Sequence, residues 1–388
     1  MQLTNEEQEI LDGKQGEAKQ KAMQLLVALG DIYGARRLIP IKSVQIGGVS
    51  YKNIGDAGID FIKVFAETGA KVSVPTTLNP AGCDIQQWKE TGISENFYKK
   101  QKEIIDSFTS MGIESTCTCT PYLVGNRPKL GDHVSWAESS AVVFANSVLG
   151  ARTNREGGPS TIASAIIGKT PEYGYHLDEN RKATFLVKVD FDLNDIMDYG
   201  LLGAFIGKKI QSAVPAFKLK SKPSEDQLKA LGAAMAAWGA VALFYVENST
   251  PEFILSENVE EIIVAEENLE EMRKQITTTN NVQLLTTGCP HASLDELRNI
   301  SEMLKDKKME KPFWIYTARK TKETADEKGY VEIIEKSGAK ILCDCCPIVS
   351  PIEEQFSSTA TNSGKCAFYL PGHSKQKVLI QKLSEMIK

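Results

Sequence analysis

The sequence predicts an α/β fold built from layered units, and three observations support this prediction. Helical and strand patterns alternate along most of the chain instead of forming separate blocks, which is typical of layered α/β units. The short predicted strands end at Gly, Pro or Asn residues, where regular structure stops. At 388 residues, the chain also exceeds the usual size of a single domain. We therefore expect two or three α/β domains around a sizeable core.

The N-terminal part begins with two predicted helices. Thr4 is followed three residues later by Glu7, which is the pattern of a capping box and places the start of a helix over residues 4–12. Apolar residues at helical spacing predict a second helix over residues 17–34. Beyond it the sequence predicts a strand at 42–46, a helix at 57–68, a strand at 71–75, a helix at 98–111 and a strand at 114–118.

The middle of the chain contains two predicted helices that are rich in small side chains. They cover residues 138–149 and 226–241, and a predicted strand at 184–190 lies between them. Small side chains allow neighbouring elements to pack closely. The lysine-bearing segment 217–223 is interpreted as a solvated linker, with phosphate binding as the alternative.

The C-terminal third shows a regular rhythm of helices and strands. The predicted elements are helices at 266–277, 293–304 and 321–329 and strands at 282–286, 313–317 and 339–343. Ser293 and Glu296 form a capping box at the second of these helices. The first strand leads to Cys289 and the last to Cys345 and Cys346, and ligand sites of open α/β sheets lie beyond the carboxyl ends of strands. We divide the chain approximately into domains at residues 1–125, 126–255 and 256–388.

Composition and charge exclude several classes of function. The net charge of −5 indicates no basic surface for nucleic acid, so a small anionic substrate would be met by local cations. The N-terminus is acidic and polar, without the basic and apolar regions of a signal peptide. No stretch reaches the roughly 18 uninterrupted apolar residues that a membrane span needs. We expect a cytoplasmic protein that binds neither nucleic acid nor a membrane.

The cysteines are the strongest chemical signal in the chain. Eight dispersed cysteines are too few for a disulfide scaffold in a reducing compartment. Cys119, Cys289 and Cys346 lie next to a proline or one residue from it, where the backbone leaves regular structure and free amides can donate to cluster sulfurs. We interpret these three cysteines as ligands of one iron–sulfur cluster. Free core thiols are the alternative, and are favoured for Cys83 and Cys366.

Three thiolates on a four-iron cluster would leave one iron without a cysteine. Such an iron is a Lewis acid that makes a hydroxyl a leaving group, so the cysteine pattern predicts a dehydratase. The same ligands suit a three-iron cluster, and the general base is not identified. His291 is interpreted as tuning the cluster or relaying a proton, with a structural hydrogen bond to the backbone as the alternative.

Two polar loops are candidates for substrate contact. Gly48, Val49 and Ser50 follow a predicted strand, so their backbone N–H groups could approach a carboxylate or phosphate closely; a tight turn is the alternative. Asn79 and Pro80 lie in a polar loop at another strand end. Either loop would bring backbone and polar groups to the same edge of a sheet.

Charged residues complete the candidate site. Arg152 and Arg155 offer fixed forks for a carboxylate or phosphate, and an internal ion pair with a neighbouring glutamate is the alternative for either arginine. Glu138, followed by Ser139, is a candidate for positioning a substrate hydroxyl or a proton. Lys365 follows a glycine and is a candidate anion ligand, although its segment lacks the glycine pattern of a phosphate loop.

Taken in order, these motifs resemble the large catalytic subunit of the aconitase X family, a divergent branch of the aconitase superfamily, over essentially the whole chain. The motifs lie at residues 29–35, 77–80, 119–123, 146–157, 288–291 and 363–365. The resemblance implies α/β/α layers in three domains around an iron–sulfur cluster held by Cys119, Cys289 and Cys346. The substrate contacts that it implies are Gly48, Val49, Ser50, Asn79, Pro80, Glu138, Ser139 and Lys365.

One departure from the family pattern lies beside Cys346. The family usually has Asp-Thr-Cys where this chain has Asp344, Cys345 and Cys346. Cys345 is therefore an alternative ligand, and Cys117 is an alternative to Cys119 in the same way.

The resemblance also implies a reaction and a partner. Members of the family dehydrate (R)-mevalonate 5-phosphate to trans-anhydromevalonate 5-phosphate in an archaeal-type mevalonate pathway, or dehydrate cis-3-hydroxy-L-proline; the motifs at 28–34 and 51–56 favour the phosphorylated substrate. A chain without the small swivelling domain implies a heterodimer with a small subunit that supplies a serine base. The implied cluster has four irons and can lose one. An iron–sulfur-binding regulatory or electron-transfer protein is a further alternative, and it leaves the dense polar segments unexplained. A purely structural partner with core thiols explains neither those segments nor the cysteine pattern.

Overall fold

Three parallel β-sheets and one short antiparallel pair form the framework of the computed structural model, which describes residues 1–388. Parallel neighbours need crossover connections, and helices supply most of them. Because helices then cover the sheet faces, inner strands such as Val44–Ile46 and Phe313–Thr317 are buried along their whole length. The α/β class predicted from the sequence is confirmed.

The first unit extends to about residue 171. Its helices are α1 (Asn5–Leu11), α2 (Glu17–Ile32), α3 (Tyr51–Glu67), α4 (Glu95–Ser110), α5 (Ser139–Ser147) and α6 (Gly158–Ile167), and its strands are β1 (Leu38–Pro40), β2 (Val44–Ile46), β3 (Thr76–Leu78), β4 (Ser135–Trp136) and β5 (Lys169–Pro171). The parallel strands follow the order β3-β2-β4, and β1 pairs with β5 in antiparallel fashion. Apolar side chains of α2, α3, α4 and α6 pack on the parallel sheet and form the core of this unit.

The second unit is a four-stranded parallel sheet with two closely packed helices. Its strands are β6 (Ala183–Val189), β7 (Pro215–Leu219), β8 (Tyr245–Val246) and β9 (Leu255–Val264), in the order β8-β7-β6-β9, and its helices are α7 (Ile196–Ile210), α8 (Glu225–Gly239) and α9 (Glu266–Ile276). A Cβ atom on Gly239 would lie 2.1 Å from the Gly207 carbonyl oxygen. Only glycine therefore allows α7 and α8 to approach so closely.

The third unit has a five-stranded parallel sheet. Its strands are β10 (Leu284–Ala292), β11 (Phe313–Thr317), β12 (Lys340–Leu342), β13 (Ser358–Thr361) and β14 (Lys377–Ile380), and its helices are α10 (Leu294–Leu304), α11 (Arg319–Glu327), α12 (Tyr330–Lys336), α13 (Gly364–Ser374) and α14 (Leu383–Met386). The strand order is β12-β11-β10-β13-β14. Successive strands from β10 to β12 are added on one side of β10, whereas β13 and β14 are added on its other side, so the order of addition reverses between β10 and β13. In open α/β sheets a ligand crevice forms outside the carboxyl ends of the strands at such a reversal.

Most predicted elements are present within a few residues of their predicted ends. The strand Phe313–Thr317 has the predicted limits, and the capping boxes at Thr4 and Ser293 both form. The domain limits predicted at residues 125 and 255 stay a prediction, because sheet membership does not measure how independently each unit folds.

The strands flanking the loop of Asn79 differ from the prediction. The strand predicted at 71–75 lies at Thr76–Leu78, and the one predicted at 114–118 is reduced to a single bridge between Glu114 and Thr77. Local residue preferences could not set these limits, because the pairing with β2 decides them.

The interpretation of segment 217–223 as a linker is wrong for its first residues. Residues Pro215–Leu219 form the inner strand β7, where Phe217 is fully buried. The alternating lysines suggested solvent exposure, but successive side chains of a strand point to opposite faces of the sheet, so Lys218 is exposed while Phe217 is buried.

Two of the helices that the sequence analysis missed, α6 and α7, are mostly buried. Every residue of α6 from Ser160 to Ile166 is buried, so this helix has no exposed polar face and no amphipathic stripe to detect. These apolar helices belong to the interior of the protein, and no helix is both long and apolar enough to cross a bilayer.

Candidate active site

A cavity of about 180 Å³ lies where the carboxyl ends of β10, β12 and β13 face the first unit. It is lined by Asn53, Asn79, Pro80, Cys119, Ala137, Glu138, Ser139, Arg155, Cys289, Cys346, Ile348, Val349, Lys365, Tyr369 and His373. Wider cavities of up to about 470 Å³ lie elsewhere, but none of them is lined by a cysteine. We take the smaller cavity as the candidate active site because it gathers three thiols and several charged groups.

Backbone contacts hold Cys119 against the end of the first sheet. The Thr118 N–H donates to the Leu78 carbonyl at 2.9 Å, and Gln45 Nε2 donates to the Thr118 carbonyl at 2.9 Å. Gln45 is itself completely buried on β2. The thiol of Cys119 consequently reaches the cavity beside Asn79, which follows β3.

A close contact between the backbones of Gly288 and Tyr316 positions Cys289 on β10. Gly288 has a φ of 86°, and a Cβ atom there would lie 2.0 Å from the Tyr316 carbonyl oxygen. Only glycine fits this position. The hydroxyl of Ser363 donates to the Cys289 carbonyl, which joins this segment to the start of α13 and therefore to Lys365.

A buried group of charges shapes the segment of Cys346. Asp344 has a φ of 62°, and its carboxylate accepts hydrogen bonds from Arg319. Arg319 also donates to Asp84 at 2.9 Å, and Asp84 in turn accepts from the Cys343 N–H at 2.8 Å. These contacts connect residues more than two hundred positions apart and fix the turn that brings Cys346 to the cavity.

The alternative ligands Cys345 and Cys117 do not line the cavity. Cys345 lines a separate narrow void together with Cys83. Cys117 is fully buried in the core of the first unit. The three thiols at the cavity are therefore the three that the sequence singled out.

Burial suppresses the ionisation of these thiols. It raises the pKa of Cys119 to about 12, against a smaller opposing effect of the Lys365 charge. A side-chain hydrogen bond with Cys366, together with burial, raises the pKa of Cys289, and burial raises that of Cys346. The thiols remain neutral unless a cationic group enters the cavity, since coordination to a metal converts a thiol to a thiolate.

Glu138 and Lys365 form an ion pair in the wall of the cavity. Their side chains are 14% and 6% exposed. Burial raises the pKa of Glu138, but the charge of Lys365 and its hydrogen bond outweigh burial and hold the pKa at about 2. Ser140 Oγ donates to Glu138 at 3.1 Å and is also 3.1 Å from Lys365 Nζ. Glu138 is therefore a carboxylate, and Lys365 an ammonium, at neutral pH.

Asn79 donates to this pair and keeps an acceptor that has no partner. Its Nδ2 donates to Glu138 Oε2 at 2.8 Å, and its Oδ1 is buried without a partner. A buried acceptor without a donor costs roughly 1–3 kcal/mol. A ligand hydroxyl in the cavity would satisfy it.

The two candidate arginines have different surroundings. Arg152, predicted to bind substrate, lies outside the cavity lining: its guanidinium binds Glu252 at 2.7 and 3.0 Å and Asp178 at 3.2 Å. Glu252 also pairs with the fully buried Arg181 at 3.1 Å. Arg155 does line the cavity, and its one hydrogen bond, at 3.4 Å, is to the Ala236 carbonyl. The arginine without an ion pair is thus Arg155.

The loop of Gly48, Val49 and Ser50 lies behind the cavity wall instead of lining it. Ser50 Oγ donates to the Val349 carbonyl at 2.8 Å, and Val349 is a lining residue. The Val49 carbonyl accepts from Gln101 Nε2 at 2.9 Å. In this structure the loop supports the wall and starts α3.

Sequence reasoning missed several lining residues, including Asn53, Tyr369 and His373. Tyr369 and His373 follow Lys365 on α13 at intervals of four residues. Residues at this spacing share one face of a helix. The spacing was therefore a signal that could have placed both beside Lys365.

Comparison with known proteins agrees with this architecture. Family models of aconitase X match the chain as first domain at residues 1–179, second domain at 183–274 and third domain at 282–388. A crystal structure of Thermococcus kodakaraensis aconitase X in its holo-form has a TM-score of 0.94 and 50% sequence identity, over 100% of this chain and 99% of that chain.

Curated relatives fall into two groups. The phosphomevalonate dehydratase large subunit of Methanocaldococcus jannaschii is 50% identical over 100% of both chains, and that of Thermococcus kodakarensis is 52% identical over 95% of both. The cis-3-hydroxy-L-proline dehydratase of Hypocrea jecorina is 33% identical over 100% of this chain and 68% of its own length. With all three family models matched in order, this chain belongs to the aconitase X family.

Proposed function

We propose that this chain is the large subunit of a dehydratase that converts (R)-mevalonate 5-phosphate to trans-anhydromevalonate 5-phosphate. Relatives named phosphomevalonate dehydratase large subunit share about half of its residues over the full length, whereas the hydroxyproline dehydratase is more distant. The structural observation that carries the proposal is a single cavity that combines three thiols, a lysine and an unpaired arginine. Such a cavity suits a substrate with both a leaving hydroxyl and anionic groups.

We also propose that Cys119, Cys289 and Cys346 hold an iron–sulfur cluster in this cavity. The thiols of all three cysteines line this one cavity, although they come from segments far apart in the chain. This arrangement supports a cluster, in which each thiolate binds a different iron. When bound, a cluster with one iron free of cysteine supplies a Lewis acid for the leaving hydroxyl.

The charged residues at the cavity would bind and orient the substrate. Arg155 forms no ion pair, and its planar guanidinium suits a phosphate. The Lys365 ammonium has three N–H groups, and two of them donate hydrogen bonds to Glu138 and Ser140. The third would donate to the substrate carboxylate. The free Oδ1 of Asn79 would accept from a substrate hydroxyl.

The general base is proposed to come from a small partner subunit. Dehydration needs a base that removes the proton next to the carboxylate, and Glu138 is a poor candidate because its pKa of about 2 makes it a weak base. The relatives named large subunits support the existence of such a partner. We place the enzyme in the cytoplasm, where a reducing environment would keep its eight free cysteines reduced.

The proposed function is tested by co-expressing the chain with its small subunit and purifying the complex without oxygen. We expect visible iron–sulfur absorbance and elimination of water from mevalonate 5-phosphate, with no turnover of cis-3-hydroxy-L-proline. Turnover of hydroxyproline alone would replace the proposed substrate. A colourless and inactive complex after reconstitution with iron and sulfide would overturn both the cluster and the reaction.

Arg155→Gln is expected to raise KM for mevalonate 5-phosphate by about 10- to 100-fold, since a hydrogen bond to a charged group contributes roughly 1.5–3 kcal/mol. The value of kcat should change much less, because the phosphate is remote from the bond that breaks. Steady-state kinetics of the complex measure both constants. Arg37→Gln, which removes an exposed arginine paired with Glu172, is the control. An unchanged KM in R155Q would assign the phosphate to another group.

A further inference from the structure

His291 connects all three cysteine segments through its own polar groups. Its backbone N–H donates to Cys119 Sγ at 3.2 Å. Its ring Nδ1 lies 2.9 Å from Thr118 Oγ1, in the segment of Cys119, and its ring Nε2 lies 2.8 Å from the Cys345 carbonyl oxygen, beside Cys346. His291 is completely buried and is itself two residues from Cys289. One side chain therefore joins loops that are far apart in sequence.

The partners determine which ring nitrogen carries the proton. The Cys345 carbonyl can only accept, so Nε2 must carry the hydrogen. A neutral ring then accepts at Nδ1, and the Thr118 hydroxyl donates to it. The same hydroxyl oxygen accepts from the Thr120 N–H at 3.1 Å. Each polar atom of this network has a compatible partner, which leaves neither ring nitrogen free to relay a proton to the cavity.

We propose that His291 is a positioning residue that sets the relative placement of the three cysteines before iron binds, and that its N–H remains a donor to the Cys119 sulfur in the loaded protein. The inference rests on the proposed cluster and deepens it. Hydrogen bonds to a sulfur ligand alter the electronic state of a bound cluster, and residues that hold metal ligands in place affect metal affinity.

The geometry explains why this position needs an imidazole. The ring must donate at one end to a carbonyl and accept at the other end from a hydroxyl, across two separate segments. Leucine would fill much of the space but would leave the Thr118 hydroxyl and the Cys345 carbonyl buried without partners. Glutamine can still donate to that carbonyl.

The test compares His291→Leu, His291→Gln and Thr118→Val in the full chain co-expressed with its small subunit. Each preparation is stripped of iron and reconstituted without oxygen, and iron per chain is measured against the concentration of iron supplied. We expect His291→Leu to weaken cluster uptake by about 10- to 100-fold, as for other residues that orient metal ligands. Glutamine should restore part of the loss, and Thr118→Val should fall between leucine and wild type.

Two further readouts separate positioning from general destabilisation. The low-temperature electron paramagnetic resonance spectrum of any loaded variant should differ from wild type, because the contact with the Cys119 sulfur has shifted. His176→Gln is the matched control, since His176 is also buried but contacts His133, and it should load normally. The thermal unfolding midpoint of each iron-free protein reports on folding; if leucine prevents folding, Thr118→Val carries the test.

The outcomes distinguish this inference from the proposed function. If wild type accepts no cluster, the proposed cofactor is wrong and the role of His291 is wrong with it. If wild type loads, and the folded His291 and Thr118 variants load equally well with an unchanged spectrum, only the role of His291 is overturned.

Discussion

Cys346→Ala is expected to lower kcat by about 10³-fold or more, whereas Cys345→Ala should retain most of the activity. Cys346 lines the candidate active site, and its neighbour lines a separate void beside Cys83. Loss of one ligand would remove the proposed cluster, whose Lewis acid would contribute several kcal/mol, and each 1.36 kcal/mol is a factor of ten in rate. The measurement is the rate of water elimination, together with iron content per chain.

The two variants are a matched pair because they remove the same atom from adjacent residues. Both create a small vacancy in the protein interior, so each should lower the thermal midpoint to a similar extent. If Cys345→Ala lost its iron and Cys346→Ala kept it, the assignment of the ligand would be reversed. Equal loss in both would mean that the segment, and not one thiol, determines binding.

Glu138→Ala is expected to reduce the free energy of unfolding by about 3–5 kcal/mol, because it leaves the ammonium of Lys365 buried and unpaired. Urea denaturation of the complex measures this loss. The double variant Glu138→Ala with Lys365→Met should recover much of the stability, since it removes the unpaired charge, but it should remain inactive. A single variant as stable as wild type would show that the pair contributes nothing to folding.

The same pair predicts a dependence of stability on pH. The pKa of Glu138 falls from its ordinary 4.5 to about 2 in the folded protein. A group with a lowered folded pKa contributes its stability fully above the unfolded pKa and loses it as the pH falls toward the folded pKa. Between pH 5 and pH 2 the urea midpoint of wild type should therefore fall more steeply than that of Glu138→Gln. Parallel curves for the two proteins would contradict this account.

The residue types of the candidate site could be recognised from the sequence, but the partners of their side chains could not. Both Arg152 and Arg155 matched the pattern of an anion ligand, and the sequence analysis kept an ion pair as the alternative for each. The partner of Arg152 is Glu252, which lies one hundred residues away in the chain. No local spacing contains that information, because the pairing exists only when the first and second units pack together.

The sequence by itself determined the α/β class, the two capping boxes and the three proline-flanked cysteine segments, because these depend on neighbours within a few residues. Only the tertiary structure decided that Cys346 faces the cavity and Cys345 does not, and that His291 bridges three loops. The physical reason is the same in both cases. A side chain's direction at a strand end depends on contacts such as Arg319 with Asp84, which lie 235 positions apart and form only in the folded protein.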